Sequence, residues 1–308
     1  MTQKKPLLTL NHLVNNTYTV HALRTGIQRS FHINATGYHI LLELIKSDGV
    51  AAPINLAEAL SLTPSTITAS IAHLEATDYV CREDSDEDRR KTPIRITAAG
   101  MRLVPQIDQL VIAIIAETWQ PLTQAQKELM LRGSISIVNG RRNFRLNSGK
   151  VRADTAYADA VFITNRSLAY MAKQHGLTLN EFLLLFVLRD HPRGITATGA
   201  AQLLLMRQNN LTKVSESLLG RDFAERDGNP LDRRVSIFLP TRTGALLFNR
   251  AFKDMDEATR SHFQGVDRKL LEAFRRIGED FIVAERKRRR FSTEAFPGDG
   301  RGGLSRCL

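Results

Sequence analysis

Shifted by 144 residues, the chain matches itself. Asp88-Arg89-Arg90 falls on Asp232-Arg233-Arg234, and Thr97-x-x-Gly100 falls on Thr241-x-x-Gly244. The register holds upstream without a gap, with Arg82 on Arg226, Asp78 on Asp222, Leu74 on Leu218, Thr68 on Thr212, Leu60 on Leu204, Ala57 on Ala201, Leu44 on Leu188 and Leu41 on Leu185. Apolar character persists where identity does not, as in Tyr38/Phe182, Ile40/Leu184, Ile67/Leu211 and Tyr79/Phe223. Solenoid units run to roughly 20–50 residues, so this period belongs to a duplicated domain instead. Two cores also suit a chain of 308 residues, because single cores rarely grow past about 250–300. The copies are expected at 1–138 and 151–285, with a basic linker at 139–150 and a basic, partly disordered tail at 286–308.

Within one copy, residues 34–46 place Ile40, Leu41, Leu44 and Ile45 at helical spacing behind a capping Asn34. A short helix at about Asn55–Leu60 follows, with Leu56, Ala59 and Leu60 on one face. In SLTPSTITASIAHLEATDYV, Thr63 suits an N-cap and Pro64 the first helical position, and Ile67, Ile71 and Leu74 form the stripe to be buried. Two short helices of this kind read as a helix-turn-helix. The period then changes. Tyr79–Arg82 and Pro93–Ile96 read as two short strands around a polar hairpin tip, and Thr97 caps a helix carrying Leu103, Ile107, Leu110, Val111, Ile114 and Ile115. The second copy repeats the plan, with helices at Leu177–Asp190, Ala200–Leu205 and Gln208–Leu219 and a hairpin at Phe223–Leu239 closed by Pro240. A long helix from Gly244 then carries Leu247, Phe248 and Phe252. The fold class predicted is mainly α with small β-hairpins, an α+β plan.

A net charge of +11 and a pI near 10.0 favour an acidic partner, nucleic acid first and an anionic membrane second. The excess is uneven. Residues 1–150 carry 17 Lys+Arg against 13 Asp+Glu, and the remainder 26 against 19. Five of those later cations form one run, Arg286-Lys287-Arg288-Arg289-Arg290, which reads either as a phosphate-binding stretch or as a solvated helix end. Cys81 and Cys307 make no disulfide framework and no C-x-x-C, which fits a reducing cytoplasm. The longest apolar run, Leu110–Ala116, falls short of the ~18 residues of a membrane span, and the N-terminal stretch is too broken for a signal peptide. The expectation is a cytoplasmic protein with no membrane partner.

The acids Asp84, Asp86, Glu87 and Asp88 invite a cation-site reading, but the EF-hand spacing is absent and cations intrude. The eight histidines make no metal-ligand spacing, and no nucleophile elbow, P-loop or G-x-G-x-x-G occurs. No metal, cofactor or catalytic activity is expected.

Helix-turn-helix, hairpin, D-R-R and then T-x-x-G opening a long helix is an order that resembles the MarR family of winged-helix transcriptional regulators. The resemblance covers about residues 10–137 and again 152–285. It implies dimers whose terminal helices intertwine, each protomer offering one recognition helix and one wing. Both copies here carry matching end segments, Leu10–Ser30 with Val104–Val138 and Arg152–His175 with Ala245–Ile282. The resemblance therefore implies a pseudo-dimer within one chain, whose linker holds the second copy at an effective concentration on the order of millimolar. Further dimerisation of the whole chain stays open.

It also implies a double-stranded DNA partner. Ser65, Thr66, Thr68, Ala69 and His73 would face the major groove in the first copy, and Gln208, Asn209, Asn210, Thr212 and Lys213, with Glu216, in the second. Arg89, Arg90, Lys91, Arg233 and Arg234 would serve the wings. The family's wing pattern D-x-R-x-x-R is incomplete, because its tip arginine is Glu87 in one copy and Leu231 in the other, and its opening aspartate is Ser85 and Asn229. Strand spacing makes Asp88 with Arg90, and Asp232 with Arg234, expected ion pairs. The resemblance further implies a small aromatic or anionic effector bound between the dimer helices and the reading head, where Trp119, Phe162, Tyr170 and Phe186 would serve unless they are simply core. The function expected is a sequence-specific regulator, a repressor, reading an asymmetric operator of two half-sites. The rival is a ligand-responsive protein-interaction adaptor with degenerate winged-helix domains, which the missing tip arginines would fit.

Overall fold

In the computed structural model of the chain, which describes residues 6–60, 62–82, 92–139, 155–229, 232–263 and 266–294, the first repeat begins at a cap. Asn34 sits in extended backbone and its side chain accepts from the Gly37 amide at 2.8 Å. This opens α2 (Ala35–Lys46), which follows the longer α1 (Leu10–Phe31). Tyr38, Ile40, Leu41 and Leu44 are buried, whereas Ile45 is 43% exposed, because one residue further turns the side chain about 100° round the helix. In α3 (Pro53–Leu60) the buried face is Leu56, Ala57 and Leu60, with Ala59 at its margin. Thr63 accepts from the Thr66 amide and Pro64 takes the first turn of α4 (Pro64–Ala76), as their chemistry requires.

Strands β1 (Val50–Ala51), β2 (Val80–Arg82) and β3 (Ile94–Ile96) form an antiparallel sheet in the order β1-β3-β2, with Val80 opposite Ile96 and Arg82 opposite Ile94. The two-residue β1 is too short to leave a periodic trace in the sequence. Two helices follow, α5 (Ala98–Thr118) and α6 (Gln124–Asn139). By length and composition α5 is apolar enough to cross a membrane. It is one-sided, however. Leu103, Val104, Ile107, Val111 and Ile115 are buried, while Arg102, Gln106, Gln109 and Glu117 are exposed, the pattern of a helix facing a protein core.

The second repeat runs α7 (Ala156–Gln174), α8 (Leu179–Asp190), β4 (Ile195–Thr196), α9 (Ala197–Leu204), α10 (Gln208–Gly220), β5 (Ala224–Asn229), β6 (Asp232–Pro240), α11 (Arg242–His262) and α12 (Arg268–Glu294). Helices α8, α9, α10 and α11 have the bounds of α2, α3, α4 and α5 displaced by 144 residues, and the second sheet repeats the order of the first, β4-β6-β5. Two boundaries differ from the sequence reading for local reasons. Helix α8 starts at Leu179 because Thr178 and Glu181 form a capping box. Helix α9 starts earlier, at Ala197, because Thr196 accepts from the Gly199 amide at 3.0 Å.

The recurrent Asp, Thr and Gly have a common explanation. Asp78 and Asp222 take left-handed backbone, at φ 58° and 57°. Their carbonyls accept from the Thr97 and Thr241 hydroxyls, at 2.7 Å in both repeats. Each threonine oxygen in turn accepts from the amide three residues on, Gly100 at 3.1 Å and Gly244 at 3.0 Å. In each repeat one threonine thus ties the turn after α4 or α10 to the start of the next long helix, α5 or α11.

The compact units do not follow the repeat boundary. One is formed by Asn16–Ser167 with Ala258–Phe274, the other by Leu168–Glu257 with Met1–Asn15 and Arg275–Leu308. In the first, Leu23, Ile27, Tyr38, Leu41, Ile67, Ile71, Leu74, Ile107 and Val111 are core, and Gly26 and Gly133 lie close against Ile114 and Phe274. In the second, Phe182 stacks on Phe248 at 5.3 Å between ring centroids, and Phe186 meets Phe252 edge-on at 5.5 Å. The Arg189 guanidinium lies 4.2 Å from the centre of the Phe186 ring. The chain's N-terminal segment docks in this second unit, where the Leu7 and Leu8 amides donate to Asp256 Oδ1 at 2.6 and 2.9 Å.

Candidate nucleic-acid interface

The buried stripe Ile67, Ser70, Ile71 and Leu74 sets which way α4 faces. Ser65, Thr66, Thr68, Ala69 and His73 all lie on its exposed side. Some of their polar atoms are already engaged. The Thr66 and Thr63 hydroxyls are 2.8 Å apart, and the Thr68 hydroxyl donates to the Pro64 carbonyl at 2.9 Å. His73 Nε2 donates to the His32 carbonyl at 2.8 Å, which commits one ring nitrogen of that side chain to the protein.

Helix α10 buries Leu211, Ser215 and Leu218 and exposes Gln208, Asn209, Asn210, Thr212, Lys213 and Glu216. The Thr212 hydroxyl back-bonds to the Gln208 carbonyl at 3.1 Å. Arg207 takes the N-cap position and its side chain makes no cap bond there, unlike Thr63 at the start of α4. The two exposed faces therefore differ in chemistry. One is small and hydroxylic, the other rich in amides, with Arg207 and Lys213 as exposed cations.

In each repeat an ion pair that the sequence reading missed ties the helix to the hairpin, α4 to β2 and α10 to β5. Arg82 Nε lies 2.9 Å from Glu75 Oε1, and Arg226 Nη2 lies 2.8 Å from Glu216 Oε1. The arginines occupy matching repeat positions and the glutamates do not, so only the arginine half of the signal repeats. Exposed pairs of this kind contribute about 0–1 kcal/mol, so their role is to orient more than to stabilise.

The wing residues are less completely placed. Arg89, Arg90 and Lys91, with Asp84, Asp86, Glu87 and Asp88, lie outside the described residues. Arg233 and Arg234 lie on β6 by backbone, and their side chains and that of Asp232 are outside the description. Both expected pairs, Asp88–Arg90 and Asp232–Arg234, fall there. At the second hairpin, Asn229 is opposite Asp232, with an irregularity between Gly228 and Asn229.

The four candidate effector aromatics divide between the two compact units. Trp119 packs on Tyr157 at 5.0 Å and Phe162 meets the His39 ring edge-on at 4.7 Å, both within the unit that holds α4. Phe186 belongs to the phenylalanine cluster of the other unit, and Tyr170, also in that unit, is 66% exposed.

Around Phe162 the structure gathers polar groups instead. His39 Nδ1 donates to the Ala35 carbonyl at 2.6 Å, which leaves Nε2 as an acceptor, buried and without a partner. Burial holds the His39 pKa well below its usual value, and Arg166 adds to the depression. Burial also pulls Arg166 down to about 10, with Arg24 reinforcing that shift and Asp159 and Glu43 opposing it. Arg24 is itself lowered by burial. These residues come from α1, α2 and α7, so no local motif announces them. Nor does the repeat supply them, for Arg24, His39 and Arg166 match the apolar Leu168, Leu183 and Ala22.

The sequence profile of the MarR family matches residues 33–92, the stretch that holds α2, α3, α4 and β2. The HTH-type transcriptional regulator PrsX of Escherichia coli is 32% identical over 101 residues, 32% of this chain and 61% of PrsX. The HTH-type transcriptional regulator SarZ of Staphylococcus aureus is 27% identical over 120 residues, 39% of this chain and 74% of SarZ. The chain thus spans about three-fifths of the length of PrsX. Among solved structures, CouR from Rhodococcus jostii bound to p-coumaroyl-CoA aligns over 50% of this chain and 100% of CouR, with 18% identity and a TM-score of 0.36. Wild-type MarR from E. coli aligns over 36% of this chain and 81% of its own, with 22% identity and a TM-score of 0.32.

Proposed function

We propose that the chain is a sequence-specific DNA-binding transcriptional regulator, a repressor acting in the cytoplasm, whose two winged-helix copies form an intramolecular pseudo-dimer. The observation that carries the reading is the pair α4 and α10. Both occupy the same place in the repeat, both bury an apolar stripe, and both expose side chains that suit base edges and phosphates. Gln208, Asn209 and Asn210 have the donor–acceptor pair that matches adenine in the major groove. Lys213 and Arg207 suit phosphates, Ser65 and Thr66 offer hydroxyls, and the methyl groups of Thr68 and Ala69 suit thymine.

A homodimer presents two identical faces and reads a palindrome. Two different faces call for an asymmetric operator, with half-sites about 34 Å apart if each head follows one turn of the duplex. Arg233 and Arg234 are assigned to phosphates beside the second half-site, and Arg89, Arg90 and Lys91 to the first. The effector of this regulator is a small anion. Arg166 and Arg24 suit its charge and His39 Nε2 accepts from a hydroxyl on it.

The test is a mobility-shift titration with duplex DNA from upstream of the chain's own gene, repeated across salt. Binding should weaken with a log–log slope of roughly −0.9 per phosphate neutralised. No salt-sensitive shift at low ionic strength would leave the adaptor reading in its place.

A further inference from the structure

The basic run at the end of the chain is not a free row of cations. It lies on α12, and its first member turns inward. Arg286 Nε donates to the Leu203 carbonyl at 2.8 Å, Nη2 donates to the same oxygen, and Nη1 donates to Asn11 Oδ1 at 2.6 Å. Beside it Glu285 is buried and accepts from Arg288 at 2.8 Å and Arg289 at 3.0 Å.

Leu203 is the penultimate residue of α9, and its carbonyl is among the last four of a helix, which find no donor inside it. The carbonyls of Ala201 and Gln202 are satisfied by the chain's own turn, through the amides of Leu205 and Met206. That of Leu203 is taken by Arg286. Leu205 then adopts left-handed backbone at φ 51°, and the chain passes through Met206 and Arg207 into α10. The guanidinium therefore sits on the turn between the two helices of the second helix-turn-helix, held there from α12 and, through Asn11, from α1. All of these residues belong to one compact unit.

We infer that Arg286 is a positioning residue that caps α9 from outside and fixes the turn that aims α10. Its planar fork reaches Leu203 and Asn11 together, which a lysine ammonium on a flexible stem does not reproduce. The consequence for DNA rests on α10 being a reading helix; the structural half does not.

The test is hydrogen exchange on the full chain. In R286M the amides of Leu205–Leu211 should exchange about tenfold faster or more, with α4 unchanged and the thermal midpoint close to wild type. R286K should fall between R286M and wild type, and serves alone if R286M fails to fold. On a duplex that the wild-type chain selects from a random pool, R286M should lose protection over the half-site facing α10 and keep the other. Unchanged exchange at 205–211 would overturn the inference. So would acceleration spread evenly over α8 to α11, which marks general loss of stability. A wild-type chain that selects no DNA would sink the regulator reading, and the exchange measurement would still judge Arg286.

Discussion

Gly244 lies directly beneath Phe223, such that a Cβ at residue 244 would fall 1.9 Å from the Phe223 carbonyl oxygen; Gly100 stands in the same relation to Tyr79, at 2.2 Å. The obstacle is backbone and cannot swing aside, so glycine is required by close approach. Gly244→Ala and Gly100→Ala should each destabilise their own repeat by about 2–3 kcal/mol, read as a shift in the urea midpoint. Gly220, at the end of α10, has nothing within 4 Å of a built Cβ. Gly220→Ala is expected to leave stability unchanged or raise it by about 0.5–1 kcal/mol. If all three variants behaved alike, the close approach would not be what selects glycine.

Arg207 holds an N-cap position without capping it, where the first repeat has Thr63. Arg207→Thr should therefore stabilise α10 by about 1 kcal/mol. If Arg207 serves a phosphate, the same change should weaken DNA binding and lower the salt slope by about one ion. Thermal melting and a salt titration on one preparation check both halves. A variant more stable and equally tight in binding would remove Arg207 from the interface.

Two histidines, the buried His39 and the half-buried His12, make stability depend on pH. His12 is held down to about 4, by burial first and the neighbouring Arg275 second, and His39 is depressed well below its usual value. Both folded-state values lie below the unfolded one near 6.5, so the unfolded chain binds more protons in between. Stability is full above pH 6.5 and falls as pH drops toward 4, by up to about 3 kcal/mol for His12. Urea midpoints at pH 7.5 and pH 5 should differ in wild type. His39→Leu, which installs the residue of the matching position Leu183, should narrow that difference. An equal drop in wild type and variant would show that the His39 ring is not a source of it.

The proposed effector site rests on Arg166. Benzoate should shift the thermal midpoint of the wild type upward in proportion to saturation, and Arg166→Leu should abolish the shift while leaving operator affinity within about twofold. A shift of equal size in both proteins would place the ligand elsewhere.

The features legible in the sequence are those whose physics is local. Asn34, Thr63 and Thr97 announce helix starts because a capping side chain reaches only two or three residues along the chain. The repeat register adds to this, since a residue needed for backbone geometry, such as Asp78, Thr97 or Gly100, must recur with the geometry. What resists reading is assembled across the chain. Arg24, His39 and Arg166 sit on three helices from both halves, and no spacing connects them. Arg286 reads as a surface cation among others, because its acceptor on Leu203 is a main-chain atom that carries no sequence signature. Helix α12 runs on past the basic run to Glu294, which fits a tail that starts helical, and its buried positions Phe274, Ile277, Ile282 and Glu285 all lie before that run begins.

The central claim is that two unlike winged-helix copies read one duplex together. Selection of binding sites by the full chain from random double-stranded DNA, followed by sequencing, tests it most directly. Two dissimilar half-sites at a fixed spacing near one helical turn are predicted, with Gln208→Ala and Asn209→Ala relaxing preference in one half only and Ser65→Ala and Thr66→Ala weakening the other. Strict palindromes, or a pool no richer in any sequence than the input, would contradict it.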